Sequence, residues 1–195
     1  MSFLRPLSFS DLLPALHGAG VELRAPQMRH YDAWAALRSD SRAFLTPWEP
    51  TWPPADLTRL AYRVRLRRYA RDVRADAAYP YFIFRAADGA LMGGLTLGQV
   101  RRGVSQSASL GYWMGEAYAG RGHMTAAVRA LAPHAFGPMQ LRRIEAACLP
   151  NNERSIRLLE RVGFTREGYA RSYLCINGEW RDHLLYALLA TDPLR

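Results

Sequence analysis

In the stretch EAYAGRGHMTAAVRALA, residues 116 to 132, Gly120 and Gly122 flank Arg121 directly before a segment whose apolar residues, Met124, Ala127, Val128 and Leu131, recur at the spacing of one helical face. A glycine turn therefore opens a helix. The first N–H groups of a helix have no internal partner and sit at the positive end of its dipole, and glycines, lacking Cβ atoms, let an anion approach them. Phosphate is the anion such a turn would hold. Gly-x-Gly is also ordinary loop punctuation, so on spacing alone a phosphate cradle and a plain turn both stay open.

Few other residues have types and positions that suit chemistry. Glu145, within RRIEAAC, is a carboxylate among apolar strand residues, which is costly unless it faces a cleft or an ion-pair partner. It reads either as a general base acting through water or as the partner of Arg142 or Arg143. Asn152 begins a helix and is suited to cap it, and Ser155, one turn on, faces the same side. Trp48 and Glu49, in FLTPWEP, suit the wall of a pocket, with Glu49 attracting an ammonium group; plain packing in a proline-rich loop is the other reading. Tyr173 and Trp180, near the last hairpin, pose the same pair of readings. Cys148 and Cys175 form no C-x-x-C pair, and none of His17, His30, His123, His134 and His183 stands at helical ligand spacing from another, so no metal is expected.

The elements that must position these residues fit one domain of 195 residues. Residues 1–20 read as an N-terminal arm with a short helix near Asp11 to Leu16, and residues 21–195 as the domain. VELRA (21–25) reads as a strand and HYDAWAALRSD (30–40) as a helix. A Pro- and Trp-rich loop (44–56) precedes a long helix from about Leu57 to Ala75, with Leu57, Leu60, Ala61 and Val64 on one side. YFIFRA and ALMGGLTLGQV flank Asp88-Gly89 as a hairpin with a two-residue turn, and residues 107–115 add the next strand. After the glycine-opened helix, residues 141–149 read as a strand, followed by a helix from Asn152 to a stop at Gly163 and a closing hairpin around Asn177-Gly178. Pro133 is expected to stop or kink the helix that contains it.

Charge and composition point to an acidic partner without naming it. Lys+Arg number 26 against 17 Asp+Glu, a net charge of +9 carried by arginine. A polyphosphate cofactor, a ribosome or an acidic peptide would each suit. The seven arginines of the long helix (Arg59, Arg63, Arg65, Arg67, Arg68, Arg71, Arg74) read as a solvated face or as a contact for ribosomal RNA. No run has the length of a membrane span, and Ser8, Ser10, Asp11 and Pro14 interrupt any signal-peptide core. A cytoplasmic protein without membrane contact is expected.

With these elements placed, the sequence resembles the GNAT N-acetyltransferases. The residues that carry the resemblance are LGYWMGEAYAGRGHM, where the family has a strand leading into a Gly-x-Gly turn, and PNNERSIRLLERVGF (150–164), which is similar to its Asn-containing loop, helix and Gly-Phe stop. FLTPWEP (44–50), LGY (110–112), RRI (142–144) and EGYARSYLCINGEWRDH (167–183) are similar to the RimJ/RimL branch, the ribosomal-protein alanine N-acetyltransferases, and to its RimJ side most. Several separated motifs in one order are far more specific than a lone Gly-x-Gly. The resemblance implies an α/β fold, a mixed and mostly antiparallel sheet with flanking helices. It also implies acetyl-CoA as co-substrate, its pyrophosphate on the backbone of Gly120, Arg121, Gly122, His123, Met124 and Thr125. Two departures stand out: Ala117 replaces a Gln or Arg common before the first glycine, and Leu159 stands where many members carry a Tyr as general acid.

Acetyl transfer from a thioester to an amine needs a neutral amine, an N–H donor for the developing oxyanion, and preferably a proton for the departing thiolate. An α-amino group, with a reference pKa of about 7.7 to 8.0, needs much less base assistance than lysine at about 10.4, so an N-terminal acceptor is favoured. A splay of the strand at 107–115 from its parallel neighbour would free an N–H near Trp113 or Met114 for the acetyl carbonyl. The resemblance places Asn152 beside the pantetheine arm and Ser155 near the sulfur, where Ser155 becomes the acid in place of the missing Tyr. Glu145 is the first choice of base, and Glu49 the next. Trp48, Glu49 and Tyr173 would bind the acceptor, a protein N-terminus with Ala or Ser, on a ribosomal protein. A small-molecule amine as acceptor, or a basic ribosome- or RNA-binding module without catalysis, are the alternatives.

Overall fold

A computed structural model describes residues 12–195. Eight strands form one sheet in the order β1-β2-β3-β4-β5-β6-β8-β7: β1 (Leu16–Gly18), β2 (Val21–Arg24), β3 (Tyr79–Arg85), β4 (Leu91–Arg101), β5 (Ser107–Met114), β6 (Arg143–Cys148), β7 (Thr165–Ile176) and β8 (Glu179–Leu189). Every neighbouring pair is antiparallel except β5 with β6. The helices are α1 (Tyr31–Asp40), α2 (Arg42–Leu45), α3 (Arg59–Arg74), α4 (His123–Phe136) and α5 (Glu153–Val162). This is the mixed α/β arrangement that the sequence suggests.

Both faces of the sheet are covered. On one, α4 lies against β1 and β2 and beside α5, and Ala127, Val128 and Leu131 pack with Ile83, Leu95, Ile144 and Leu159. On the other, Trp34 of α1 and Tyr62 of α3 pack with Phe82, Phe84 and Leu91. Coverage on both sides explains why YFIF in β3 is a continuous apolar run rather than an alternating one: Tyr81 and Ile83 face one core, Phe82 and Phe84 the other.

Several expectations are corrected. Leu16–Gly18 pairs with Val21–Leu23 as β1, so the stretch expected as an arm already supplies the first strand; the part of that stretch before residue 12, including the start of the expected helix at Asp11, lies outside the described residues. In α3 the expected side is outward: Leu60 and Val64 are exposed, and Tyr62, Leu66, Tyr69 and Val73, at i, i+4, i+7 and i+11, form the more protected side. At 100° per residue, Arg59, Arg63, Arg67, Arg71 and Arg74 therefore share an arc of about 120° on the outer side, where all five are exposed. Pro133 lies inside α4, which runs three residues further; Pro133 and Arg129, whose carbonyl loses its helical partner, are both on the exposed side of the helix. Asp88-Gly89 is part of a five-residue connection between Arg85 and Leu91, held by the Asp88 carboxylate on Arg85 and on the Ala90 N–H. Asn177-Gly178, with φ of 48° and 84°, is the two-residue turn expected.

Candidate active site

The glycine turn is built as an open cradle. Gly120 and Gly122 have φ of 74° and 83°, and a Cβ added to either would meet nothing within 4 Å. Gly122 is the N-cap of α4 and brings no side-chain cap. The first hydrogen bond of the helix is from Ala126 N–H to the Gly122 carbonyl, so the N–H groups of His123, Met124 and Thr125 precede the helical ladder. Three uncapped N–H groups at the positive end of a 14-residue helix, under open space, suit a pyrophosphate. Along the same cleft, α5 presents Arg154, Arg157 and Arg161. The arrangement fits the phosphates of coenzyme A. Arg121 contributes only backbone: its side chain is exposed and outside the cleft wall, whereas Gly120, Gly122, His123, Met124 and Thr125 line it.

From the cradle, a cleft of about 830 Å³ runs between β5 and β6. The two strands pair only at Ser107, Ala108 and Ser109, opposite Arg143, Ile144 and Glu145, while β5 stays paired with β4 as far as Met114. The splay expected from the sequence is present. Its polarity follows from the register. Gly115 N–H donates to the Met92 carbonyl, and in an antiparallel pair the bonded residues alternate; Trp113 N–H therefore points to β4, and the N–H groups of Tyr112 and Met114 point to the side vacated by β6. Of the two residues expected to supply an oxyanion donor, Met114 keeps that position and Trp113 does not. Trp113 offers its ring, lying over Gly94, where a Cβ would come within 2.8 Å of Nε1.

Tyr112 was not singled out by sequence reasoning, yet its hydroxyl lies 2.5 Å from Ser155 Oγ at the middle of the cleft. Strand alternation with Leu110 and Met114 is the signal that puts it on the cleft side. Burial pushes the phenol far above its usual range, against a smaller lowering by Ser155, so the Tyr112–Ser155 pair holds its protons. Asn152 caps α5 by accepting the Ser155 N–H at 3.1 Å, which leaves its amide NH₂ for a group in the cleft that Asn152 lines. Ser155 is thus positioned by its own cap and by Tyr112. Leu159, one turn on, is fully buried in the core. Cys148 also lines the cleft, and burial pushes its thiol up to about 11, so it remains a neutral thiol.

The far end of the cleft is walled by the loop after α2 and by the last hairpin. Trp48 and Glu49 both line it. Glu49 is not a free carboxylate: Arg38 donates to both its oxygens, at 2.9 and 2.6 Å, and Trp52 Nε1 donates at 2.7 Å. Arg38, itself buried, lies between the rings of Trp52 and Trp113, with 4.0 and 4.9 Å to their centroids. The Glu49 carbonyl accepts from Asn177 N–H, tying the loop to the β7–β8 turn. Tyr173 is half exposed and outside the cleft wall; its ring stands edge-on to that of His183, which does line the cleft.

Glu145 is corrected as a base. It pairs with Arg101 and with Arg143 Nε at 2.9 Å, and Arg143 also holds Glu167. This cluster surrounds the paired end of β5 and β6, and Glu145 is absent from the cleft wall. The carboxylate among apolar strand residues is accounted for by arginines on both sides of it. Among the described residues no group of three or more His, Cys, Asp or Glu is placed to hold a metal, and no helix is long and apolar enough to cross a membrane.

Comparison with known proteins agrees with this geometry. Residues 21–165 match the family model described as acetyltransferase (GNAT) domain. The chain is 36% identical over 177 residues to the probable N-acetyltransferase YjcK of Bacillus subtilis (strain 168), covering 91% of this chain and 98% of that protein. It is 34% identical over 163 residues to the [ribosomal protein uS5]-alanine N-acetyltransferase of Escherichia coli (strain K12), covering 83% and 84%. Among solved structures, Mycobacterium smegmatis RimJ in complex with CoA-disulfide superposes with a TM-score of 0.84 at 34% identity, covering 91% of this chain and 87% of that one.

Proposed function

Because the chain belongs to the GNAT acetyltransferase family and is related to its RimJ/RimL branch, we propose that it transfers acetyl from acetyl-CoA to the N-terminal α-amino group of a protein. The acceptor in this reading is a ribosomal protein beginning with Ala or Ser, and the location is cytoplasmic. One observation carries it: a single cleft joins an uncapped helix N-terminus, a splayed strand edge and a pocket bounded by Trp48 and the last hairpin. The name of the Escherichia coli relative supports the choice of acceptor.

When bound, acetyl-CoA supplies an activated acetyl thioester. The chain's own groups do the rest. Gly120, Gly122 and the first N–H groups of α4 hold the phosphates, and Asn152 offers its amide to the pantetheine arm. The Met114 and Tyr112 N–H groups are offered to the carbonyl oxygen as it gains charge. Ser155, hydrogen-bonded to Tyr112, holds a proton for the leaving sulfur. The neutral Cys148 thiol supports direct transfer to the amine without an acyl-enzyme. The exposed arginine side of α3 suits an RNA-rich surface such as a ribosome near the acceptor.

The test is incubation with labelled acetyl-CoA and peptides differing in their first residue, beside free lysine and spermidine. Label on Ala- or Ser-initiated peptides, and its loss when the α-amine is blocked, is the expected result. Label on spermidine alone would make the enzyme a small-amine acetyltransferase, and binding to RNA with no label on any amine would favour a module without catalysis.

A further inference from the structure

The cleft needs a proton acceptor for the amine, and the carboxylates of Glu145 and Glu49 are both occupied. Glu145 is in an arginine cluster outside the cleft. Glu49 lines the cleft, but both oxygens already accept from Arg38 and Trp52. Cys148 and Tyr112 are held protonated by burial. His123 lines the cleft at its phosphate end, as the first residue of α4.

One imidazole remains at the acceptor end, beside the Tyr69 phenol and the Cys175 thiol that also line the cleft. His183 is 2% exposed and lines the cleft from β8, next to Leu184, which pairs with Cys148 at the end of β6. Its Nδ1 lies 2.9 Å from the Arg181 carbonyl. A carbonyl oxygen only accepts, so Nδ1 carries the hydrogen and the lone pair of the neutral ring is on Nε2. Among the described residues Nε2 has no hydrogen-bond partner. The edge-on ring of Tyr173 at 5.8 Å holds the imidazole plane from β7. Of the charged groups beside it on β7 and β8, Asp182 accepts from Tyr169 and the Ser172 N–H and Arg181 pairs with Glu179, whereas Arg171, next to the register partner Ala170, has no ion-pair partner among the described residues; across the cleft Glu49 is held by Arg38.

We infer that Nε2 of His183 is the general base of the acetyl transfer, a proposal that rests on the N-acetyltransferase reading above. As the amine nitrogen bonds to the acetyl carbon, its proton passes to Nε2, directly or through one water. The C–S bond breaks with its electron pair on sulfur, and Ser155 supplies the proton that makes the thiol; Ser155 then regains a proton from solvent while His183 returns the amine's proton there, so no net proton is gained or lost. The Arg181 carbonyl, by fixing the tautomer and accepting from Nδ1–H throughout, favours the imidazolium that forms.

The test combines a spectrum with a rate profile. Long-range nitrogen–proton correlation spectra of the protein above neutral pH should show His183 as the Nδ1–H tautomer, the minority form of free imidazole. His183→Gln should keep the rise in Tm on adding acetyl-CoA, which reports fold and cofactor site, and should lose about a hundredfold or more in kcat/KM. The activity left should climb with pH until the acceptor amine is itself neutral, whereas the parent should level off at lower pH. An Nε2–H tautomer, or a folded variant with the parent's rate and profile, overturns the proposal. If spermidine rather than a peptide is the acceptor, the N-terminal reading falls while the same profile, run with spermidine, still decides the role of His183.

Discussion

The Tyr112 hydroxyl on β5 and the Ser155 Oγ at the start of α5 lie 2.5 Å apart, bridging the cleft that opens where β6 splays from β5. Leu159, one turn further along α5, is buried and carries no hydroxyl, so the hydroxyls at this part of the cleft are those of Tyr112 and Ser155. Ser155→Ala should slow thiolate departure by about tenfold, less than general acids usually contribute, because a coenzyme A thiolate leaves readily. Tyr112→Phe should cost a similar factor, and the double variant little more than either, since both remove one proton path. Multiplicative losses in steady-state kcat would mean that the two hydroxyls act independently.

Glu49→Gln tests the clasp between the acceptor loop and α1. Removing one partner of a largely buried ion pair costs about 3–5 kcal/mol, because the Arg38 guanidinium stays buried without its counter-charge. The variant should have a clearly lower Tm and a raised KM for peptide, with the acetyl-CoA affinity of the folded protein near that of the parent. An unchanged Tm and a raised KM would instead make Glu49 a direct ligand of the acceptor ammonium.

Gly122→Ala tests the cradle. A residue with a Cβ at φ 83° is strained, and the cost should be about 1 kcal/mol; the Cβ also enters the space above the α4 N-terminus. The basal Tm should fall slightly, and the rise in Tm on adding acetyl-CoA should shrink much further. A full cofactor-induced shift in the variant would place the phosphates elsewhere.

His30 predicts how stability falls in acid. Burial against Phe82 and Phe84 lowers its pKa from 6.5 to about 4, with smaller contributions from Arg29 and Arg24. Its Nδ1 accepts from the Gln27 N–H at 3.1 Å and has no room for a proton. Above pH 6.5 the ring is neutral in both states and its titration contributes nothing to pH dependence. Between 6.5 and about 4 only the unfolded chain gains the proton, so stability falls with pH, by about 2–3 kcal/mol in all. Urea midpoints from pH 7 to 4.5 should fall in the parent and fall less in His30→Phe.

Much of this fold was legible in the sequence because its signals are local. Apolar periodicity and turn residues mark α1, α5 and the Asn177-Gly178 hairpin within a residue or two, and the glycine turn declares itself by spacing. What was missed depends on contacts between distant segments. Leu60 and Val64 suggested the wrong side of α3 because Tyr62 and Val73, the residues that pack, are interleaved with arginines. Glu145 looked like a cleft residue because Arg101, 44 positions away, cannot be seen as its partner in a linear sequence. Tyr112, Arg38 and His183 became site residues only when β5, α1 and β8 came to one cleft.

Acetylation of protein N-termini is the activity proposed for this chain. It is tested most directly by tandem mass spectrometry of a single peptide that begins with Ala and carries an internal lysine, after incubation with the protein and acetyl-CoA. An N-terminal acetyltransferase adds one acetyl group, on the α-amine, and none when that amine is blocked. An acetyl group on the lysine side chain, or no acetylation of such peptides when a small polyamine is acetylated under the same conditions, would contradict it.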